Sequence, residues 1–153
     1  MTLLDERPGH LIRRCHQITT SIFYEECSAL EITPMQFSIL VVLNDKSGVD
    51  QTALGAFASL DKATVGEIVK RLEKKGLLSR TRHKADRRSF TVQLTKEGTE
   101  LVNVMKPNLD RVHQRLMEPL DDDERLPFIR MLRKIVGGLS ETSRVKTLGH
   151  PAL

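Results

Sequence analysis

The chain has 153 residues, which is enough for one domain with a modest core. It has no Trp, one Tyr and five Phe, so its core must consist mainly of Leu, Ile, Val and Met. Lys and Arg number 24 against 20 Asp and Glu, and the pI near 9.3 favours a nucleic acid over an acidic small substrate. We find neither a run of about eighteen apolar residues nor an export leader, so neither a membrane span nor secretion is expected.

Two cysteines, Cys15 and Cys27, fall within one predicted helix. At about 1.5 Å per residue they would lie about 18 Å apart, which is too far for a disulfide. Reduced thiols and a cytoplasmic location are therefore expected.

The first two predicted helices have different apolar patterns. The helix over about 10–30 carries a narrow stripe spaced 4, 3 and 4, as in a packing seam between helices. Its members are Leu11, Cys15, Ile18 and Ile22. Thr33 caps the second helix, with Pro34 at its first position and Gln36 completing a capping box. The apolar run 35–43 surrounds that helix, which predicts burial.

The stretch 50–94 predicts two short helices and a β-hairpin. Asp50 and Asp61 are the helix caps, and Gly76 suits the left-handed end of the second helix. The inward face of that helix is Val65, Ile68, Val69 and Leu72. Strands are predicted over 77–81 and 90–94, separated by a charged loop.

Two long helices complete the chain. Thr95 caps the first, which reaches about residue 117, and Asp121 with Glu124 begins the second. The apolar side of the first is Leu101, Val104, Met105, Leu109, Val112 and Leu116. The second continues the pattern with Leu126, Ile129, Leu132, Ile135, Val136 and Leu139.

This element order predicts a mainly α fold with a small β-wing. We assign residues 1–153 to a single subunit and 33–95 to a winged helix–turn–helix lobe. Residues 8–30 and 96–140 should form dimerisation helices, because they present more apolar surface than one copy can cover. Residues 141–153 should form a frayed tail.

The positive charge is concentrated in one segment. Residues 70–88 carry nine Lys or Arg and two acids, Glu73 and Asp86, so this segment has charge +7 and the remainder −3. A positive field this local favours phosphate as its target.

The helix after Asp61 has the features of a DNA-recognition helix. Small residues at its leading end allow close approach to a major groove, where a hydroxyl or ammonium can bind a base edge or a phosphate. Glu67 can accept from a cytosine amino group, or it can restrain Lys70 and Arg71. The candidate contacts are Lys62, Ala63, Thr64, Glu67, Lys70, Arg71 and Lys74. The alternative is an amphipathic helix with a solvated polar face.

The basic loop between the two strands is the second candidate contact, because cations at a hairpin tip reach the minor groove and its phosphates. The residues assigned to DNA contact are Arg82, Lys84 and Arg87. A carboxylate facing DNA would be repelled, so we expect Asp86 to pair with Arg88 and brace the wing. The alternative is a solvated hairpin with incidental charge.

Four motifs in this region together resemble the MarR family of winged-helix repressors. They are 61–65 (DKATV), 69–78 (VKRLEKKGLL), 86–88 (DRR) and 92–98 (VQLTKEG). Residues 8–14 and 48–51 resemble a proteobacterial branch of this family, whose members often respond to aromatic acids.

The resemblance implies a transcriptional repressor that is a homodimer on a near-palindromic operator of double-stranded DNA. It further implies wings astride the DNA, a small-molecule pocket between the dimer helices and the DNA-binding lobe, and a cytoplasmic, nucleoid-associated location. The Asp86–Arg88 pair matches the family's wing brace. Gly66 and Glu67 are not required by the family pattern, which leaves the base preferences open.

A ligand site is predicted beside the seam of the first helix. His10 and Arg14 are i, i+4 neighbours, whereas Arg13 points more nearly opposite the seam. Arg14 can clamp a carboxylate with His10 assisting, and Met35 and Phe37 can form an apolar wall. We expect an aromatic carboxylate to bind there and to weaken DNA binding by changing the spacing of the lobes. The alternative is a set of interface salt bridges and core residues.

Three other functions fit the sequence less well: a thiol-based sensor, an enzyme and a helical interaction module. Some members of the family sense peroxide through a first-helix thiol, but Cys15 lies on the seam near only Tyr24, which favours a buried structural thiol. No Gly-rich phosphate loop, Cys-x-x-Cys pair or metal-ligand spacing of His and Glu is present, so we expect no catalytic residues, metal or cofactor. A helical interaction module that does not bind DNA would lack the steep salt dependence that phosphate contacts give.

Overall fold

The structure of the protein is a computed structural model that describes residues 4–82 and 90–142. Its order of elements is the one that the sequence predicts, with one additional short strand. The helices are α1 (Pro8–Cys27), α2 (Pro34–Asp45), α3 (Gln51–Ala58), α4 (Lys62–Lys74), α5 (Lys96–Met117) and α6 (Asp122–Gly138). The strands are β1 (Val49–Asp50), β2 (Leu78–Arg82) and β3 (Phe90–Leu94), and short 3₁₀ turns cover Ser28–Leu30 and Ser140–Thr142.

Five helices begin at the polar residues that the sequence predicts as caps, including α6 at Asp121, whose N–H donates to Glu124 Oε2 at 2.9 Å. Thr33 and Gln36 form a reciprocal capping box at α2, with N···O distances of 3.1 and 3.2 Å. The carboxylate of Asp50 accepts from two backbone N–H groups at α3, and Asp61 and Thr95 cap α4 and α5. These side chains satisfy backbone donors that have no partner within the helix. The helix starts are therefore fixed locally.

The sheet has three antiparallel strands in the order β1-β3-β2. The predicted hairpin is present, with Leu78 opposite Leu94 and Arg82 opposite Phe90. The structure adds a third strand, in which Val49 pairs with Val92 and which the sequence does not predict. A strand of two residues shows no alternation, so only pairing with β3 defines it.

The core lies between α2, α4, α5 and the sheet, and α4 contributes its predicted face. Its four residues, at most 7% exposed, are Val65, Ile68, Val69 and Leu72. On α5 the prediction needs one correction, because Val104 is 59% exposed whereas Val102, which was not selected, is 2% exposed. Both valines fit the apolar pattern, and only the packing of α5 against α1 and α2 decides which one is buried.

The second half of α1 is held against α5 by polar contacts to two glutamates. Arg111 and Arg115 form ion pairs of 2.8 and 2.9 Å with Glu26, and Arg115 also reaches Glu25 at 2.7 Å. Asn108 donates to the backbone carbonyl of Glu26. Hydrogen bonds from Arg111 and then Arg115 hold the pKa of the Glu26 carboxyl below its usual value. This cluster joins the two ends of the chain within one subunit.

The first half of α1 and the whole of α6 leave large apolar side chains uncovered. On the predicted seam Leu11 and Ile18 are 47% and 46% exposed, and Cys15 is exposed as well. Burial of the Cys15 thiol, which the sequence predicted, is therefore wrong for a single subunit, because no element of the described chain covers this part of α1. No residue of α6 is buried.

Both cysteines are free, as predicted. Across residues 4–82 and 90–142, no single helix is long and apolar enough to cross a membrane. The two neighbouring helical segments Pro8–Leu30 and Pro34–Asp45 reach that length and apolar composition only when they are counted together, and they meet at a bend of 73°.

A junction of four residues joins α4, β2 and α5. The Thr95 hydroxyl donates to the carbonyl of Gly76 at 2.7 Å, and its oxygen accepts from the N–H of Gly98 at 3.1 Å. The Thr95 N–H donates to the carbonyl of Leu77 at 3.2 Å. Gly76 has φ +73, the left-handed conformation expected where α4 ends. The first turn of α5 is thus held directly against the end of α4.

The closest approach in this junction requires glycine at position 98. A Cβ there would lie 1.9 Å from the carbonyl oxygen of Leu77, so we expect Gly98→Ala to destabilise the protein by about 1–3 kcal/mol. Gly66→Ala is the matched control, because its Cβ would meet open space within a helix and should stabilise by up to about 1 kcal/mol. Urea denaturation of both variants measures the difference. A Gly98→Ala protein as stable as the wild type would contradict this close approach.

Candidate nucleic-acid interface

The outward face of α4 is polar, mostly cationic and open to solvent. Six of the seven candidate contacts are exposed and Thr64 is half-buried. The exposed six are Lys62, Ala63, Glu67, Lys70, Arg71 and Lys74. The structure thus brings all the α4 candidates to the side of the helix that faces away from the core or to its flanks. Their individual contacts with bases and phosphates stay predictions.

Thr64 has a structural role in addition to the predicted contact. Its hydroxyl donates to Asp61 Oδ2 at 2.6 Å, while its N–H donates to Asp61 Oδ1 at 2.9 Å. These bonds, the hydroxyl first, lower the pKa of the Asp61 carboxyl. In this geometry the Thr64 oxygen can accept from a base or solvent, but its proton is already engaged in the cap.

Glu67 forms an ion pair with Lys70 at 3.2 Å, with both side chains more than 60% exposed. Of the two roles that the sequence allowed, restraint of Lys70 is therefore present in the free protein. Exposed i, i+3 pairs of this kind are weak, about 0.5 kcal/mol or less, so a phosphate or base can displace either partner.

Six of the nine cations in the basic segment lie in the described residues 70–82, and two of these six are used inside the protein. Lys75 donates to the backbone carbonyl of Glu31 at 2.8 Å, and Arg80 forms an ion pair with Glu73. Glu73 raises the pKa of Arg80 further. Counting charges along the sequence therefore overstates the charge available to phosphate. The i, i+7 spacing of Glu73 and Arg80 gave no signal, because it spans the end of a helix and a turn.

The root of the wing is described, but its tip is not. Arg82 is exposed at the end of β2, and its guanidinium carbon lies 5.4 Å from the centroid of the Phe90 ring. The predicted contacts Lys84 and Arg87 and the predicted brace Asp86–Arg88 lie outside the described residues.

The predicted ligand residues have the following surroundings in one subunit. His10 Nδ1 lies 3.3 Å from Arg13, not from Arg14, which instead donates to Gln17 at 3.4 Å. Phe37 is buried beside Phe23, with ring centroids 6.2 Å apart. Phe23 follows Arg14 by nine residues, which is about 14 Å along α1. Met35 is half exposed, so its side chain remains open to a ligand. The carboxylate clamp by Arg14 with His10 assisting, and the apolar wall of Met35 and Phe37, stay predictions.

A cavity of about 320 Å³ lies elsewhere, at the corner between α5 and α6. Its lining is Arg111, Gln114, Arg115, Glu118 and Arg125. All three arginines already form ion pairs with acids, so the cavity offers no uncompensated cation to an anionic ligand. Within the described ranges no group of three or more His, Cys, Asp or Glu could hold a metal ion.

A short helix, a second helix with an exposed basic face and a β-hairpin with an arginine at its root together define a winged-helix DNA-binding regulator. The family model for the MarR family matches residues 32–90. The chain is 32% identical over 131 residues to the HTH-type transcriptional repressor NicR of Pseudomonas putida, covering 86% of this chain and 83% of NicR.

Solved structures agree. A Bordetella bronchiseptica BpsR structure, which concerns regulation of its DNA binding by 6-hydroxynicotinic acid, superposes with a TM-score of 0.80 at 32% identity, covering 83% of this chain and 96% of that one. The repressor CouR bound to a 23-mer DNA duplex gives 0.82 at 30% identity, covering 87% and 94%. This chain belongs to the MarR family of transcriptional regulators.

Adjacent lysines at the end of α4 provide a test of the interface. Lys74→Met should lower the salt dependence of duplex binding by about one counterion, because Lys74 faces outward, and should leave thermal stability unchanged. Lys75→Met should leave the salt dependence unchanged and lower the thermal stability, because the Lys75 ammonium is bonded to the backbone carbonyl of Glu31. Fluorescence anisotropy at several salt concentrations and thermal unfolding measure the two effects. Equal salt slopes for both variants would contradict the assignment.

Proposed function

We propose that this protein is a homodimeric repressor that binds a near-palindromic operator, with α4 of each subunit in successive major grooves. Residues 33–95 form the DNA-binding lobe in this proposal, and the wings contact the flanking backbone and minor groove. The observation that carries it is the exposed cationic face of α4, directly opposite its fully buried apolar face. The relation to CouR, which is solved on a DNA duplex, supports the same placement. The protein would act in the cytoplasm, on the nucleoid.

The dimer is supported by the apolar surface that one subunit leaves open. Among the exposed large apolar side chains of α6, the exposed fraction ranges from 38% for Ile129 and Leu132 to 71% for Leu126. Surfaces of this kind on two helices at opposite ends of the chain are typical of subunit interfaces. A two-fold pair built from residues 8–30 and 96–140 would bury them and set the spacing of the two α4 helices.

Charge substitution on α6 tests the dimer and its link to DNA binding. Leu132→Glu places a carboxylate in the apolar stripe and should shift sedimentation from dimer to monomer, with a loss of operator affinity of at least tenfold. Lys134→Glu, on the opposite side of α6 by helical periodicity, introduces the same carboxylate with an even larger change of net charge, −2 instead of −1, and should leave the dimer intact. The duplex is one selected by the wild-type protein from a random pool. A monomeric Leu132→Glu protein with wild-type affinity would overturn the dimeric mode of binding.

We further propose that an aromatic carboxylate releases the protein from its operator. The relation to BpsR, whose solved structure concerns 6-hydroxynicotinic acid, supports this class of ligand. Arg14 and His10 lie on the uncovered half of α1, so in the proposed dimer their site would be completed by the second subunit. Met35, half exposed on α2, offers apolar surface to the same site. Binding there would alter the distance between the two lobes and hence the fit to successive grooves.

Isothermal titration with 6-hydroxynicotinate, 4-hydroxybenzoate and benzoate tests the carboxylate site. Arg14→Ala should weaken binding of the best ligand at least tenfold, because a charge-assisted hydrogen bond to the carboxylate is lost. Lys96→Ala is the control, since Lys96 is an exposed cation at the start of α5 and is paired with Glu100 at 3.7 Å. Unchanged affinity in Arg14→Ala would remove Arg14 from the site.

A further inference from the structure

The ring of Phe90 is shared by two arginines at the root of the wing. The guanidinium carbons of Arg80 and Arg82 lie 5.5 and 5.4 Å from its centroid. Arg82 is directly opposite Phe90 in the ladder, and Arg80 is two residues earlier on the same face of β2. Both distances are within the range of cation–π attraction. The ring therefore fixes the position of two like charges relative to each other.

Arg80 is not available to DNA. Its side chain is only 28% exposed, and its charge is balanced by the ion pair with Glu73 on α4. Its Nε is buried and has no hydrogen-bond partner among the described residues. A cation that is partly buried, ion-paired and close to an aromatic ring is suited to holding other groups in place rather than to binding phosphate.

Arg82 has the opposite environment. It is exposed, and it forms no ion pair with any residue in 4–82 or 90–142. Because Glu73 cancels the charge of Arg80, Arg82 alone presents a net positive charge at this point of β2. Its contact with Phe90 restricts the side chain, which lowers the entropy lost when a guanidinium binds a phosphate.

We propose that Arg80 is a positioning residue for DNA binding, acting through Phe90 and Arg82. Glu73 holds Arg80 at the end of α4, and Arg80 sets the orientation of the Phe90 ring. The ring in turn orients Arg82 toward a backbone phosphate beside the groove that α4 enters. The contacts thus couple the position of the recognition helix to that of the wing. This inference rests on the proposed function, since it assigns Arg82 a phosphate in the complex with DNA.

The test is the salt dependence of binding to a duplex selected by the wild-type protein. Arg82→Ala should reduce the slope of log affinity against log salt concentration by about 1, the value for one lost phosphate contact. Arg80→Met should give the same reduction although Arg80 touches no phosphate. The double variant should be no worse than Arg82→Ala alone, because both changes remove one contact. If Arg80 only stabilised the fold, Arg80→Met would not remove the contribution of Arg82 to the salt slope.

Two further variants complete the experiment. Phe90→Leu removes the shared ring while leaving the Arg80–Glu73 pair, and should reproduce the slope of Arg82→Ala even if Arg80→Met fails to fold. Arg125→Met removes a cation that is paired with Asp122 at 2.8 Å far from β2, and should keep the wild-type slope.

The possible failures are distinguishable. A wild-type slope in Phe90→Leu or in a folded Arg80→Met protein, or additive losses in the double variant, would overturn the positioning role. A wild-type slope in Arg82→Ala would overturn it as well, with DNA binding by the protein intact. Wild-type protein whose binding to the duplex does not depend on salt would overturn the proposed function itself.

Discussion

The arrangement of the recognition helix depends on the contact between the start of α5 and the end of α4. Here the Thr95 hydroxyl bridges the carbonyl of Gly76 and the N–H of Gly98, and no side chain at position 98 would fit against Leu77. In the proposed dimer α5 belongs to the dimerisation region, and α4 carries the candidate DNA contacts. A change in subunit packing that moves α5 would therefore move α4 as well. The same four residues also set where β2 begins, and therefore where the wing leaves the lobe.

Electrostatics at the interface is a matter of which cations remain unpaired. Lys75 and Arg80 are used to fasten α4 to the rest of the lobe, and Lys70 is held loosely by Glu67. The other cations of residues 70–82 follow the outer face of α4 and the end of β2. This division gives the lobe a rigid frame, and it leaves fewer charges for phosphate than the six cations that this stretch contains.

A ligand pocket at Arg14 would require groups from a second subunit, for a physical reason. Arg14 lies on an exposed stretch of α1, about 14 Å along the helix from the aromatic pair of Phe23 and Phe37. Side chains on an uncovered helix face can form a pocket only with groups supplied from outside that subunit. The aromatic-acid response, the dimer and the uncovered faces of α1 and α6 therefore belong to one proposal.

The order of elements, the helix caps and the inward face of α4 are predictable from the sequence, because they depend on spacing within one segment. Thr33, Asp61 and Thr95 begin their helices as predicted, since a cap needs only neighbours three residues away. The sequence also identified the family through the combined motifs of the helix, wing and α5. Three features follow from packing in the folded chain: β1 pairs with β3, Val102 is buried in place of Val104, and Lys75 and Arg80 are the basic residues that bind other parts of the lobe. Those outcomes depend on contacts between segments distant in the chain, which local periodicity cannot encode.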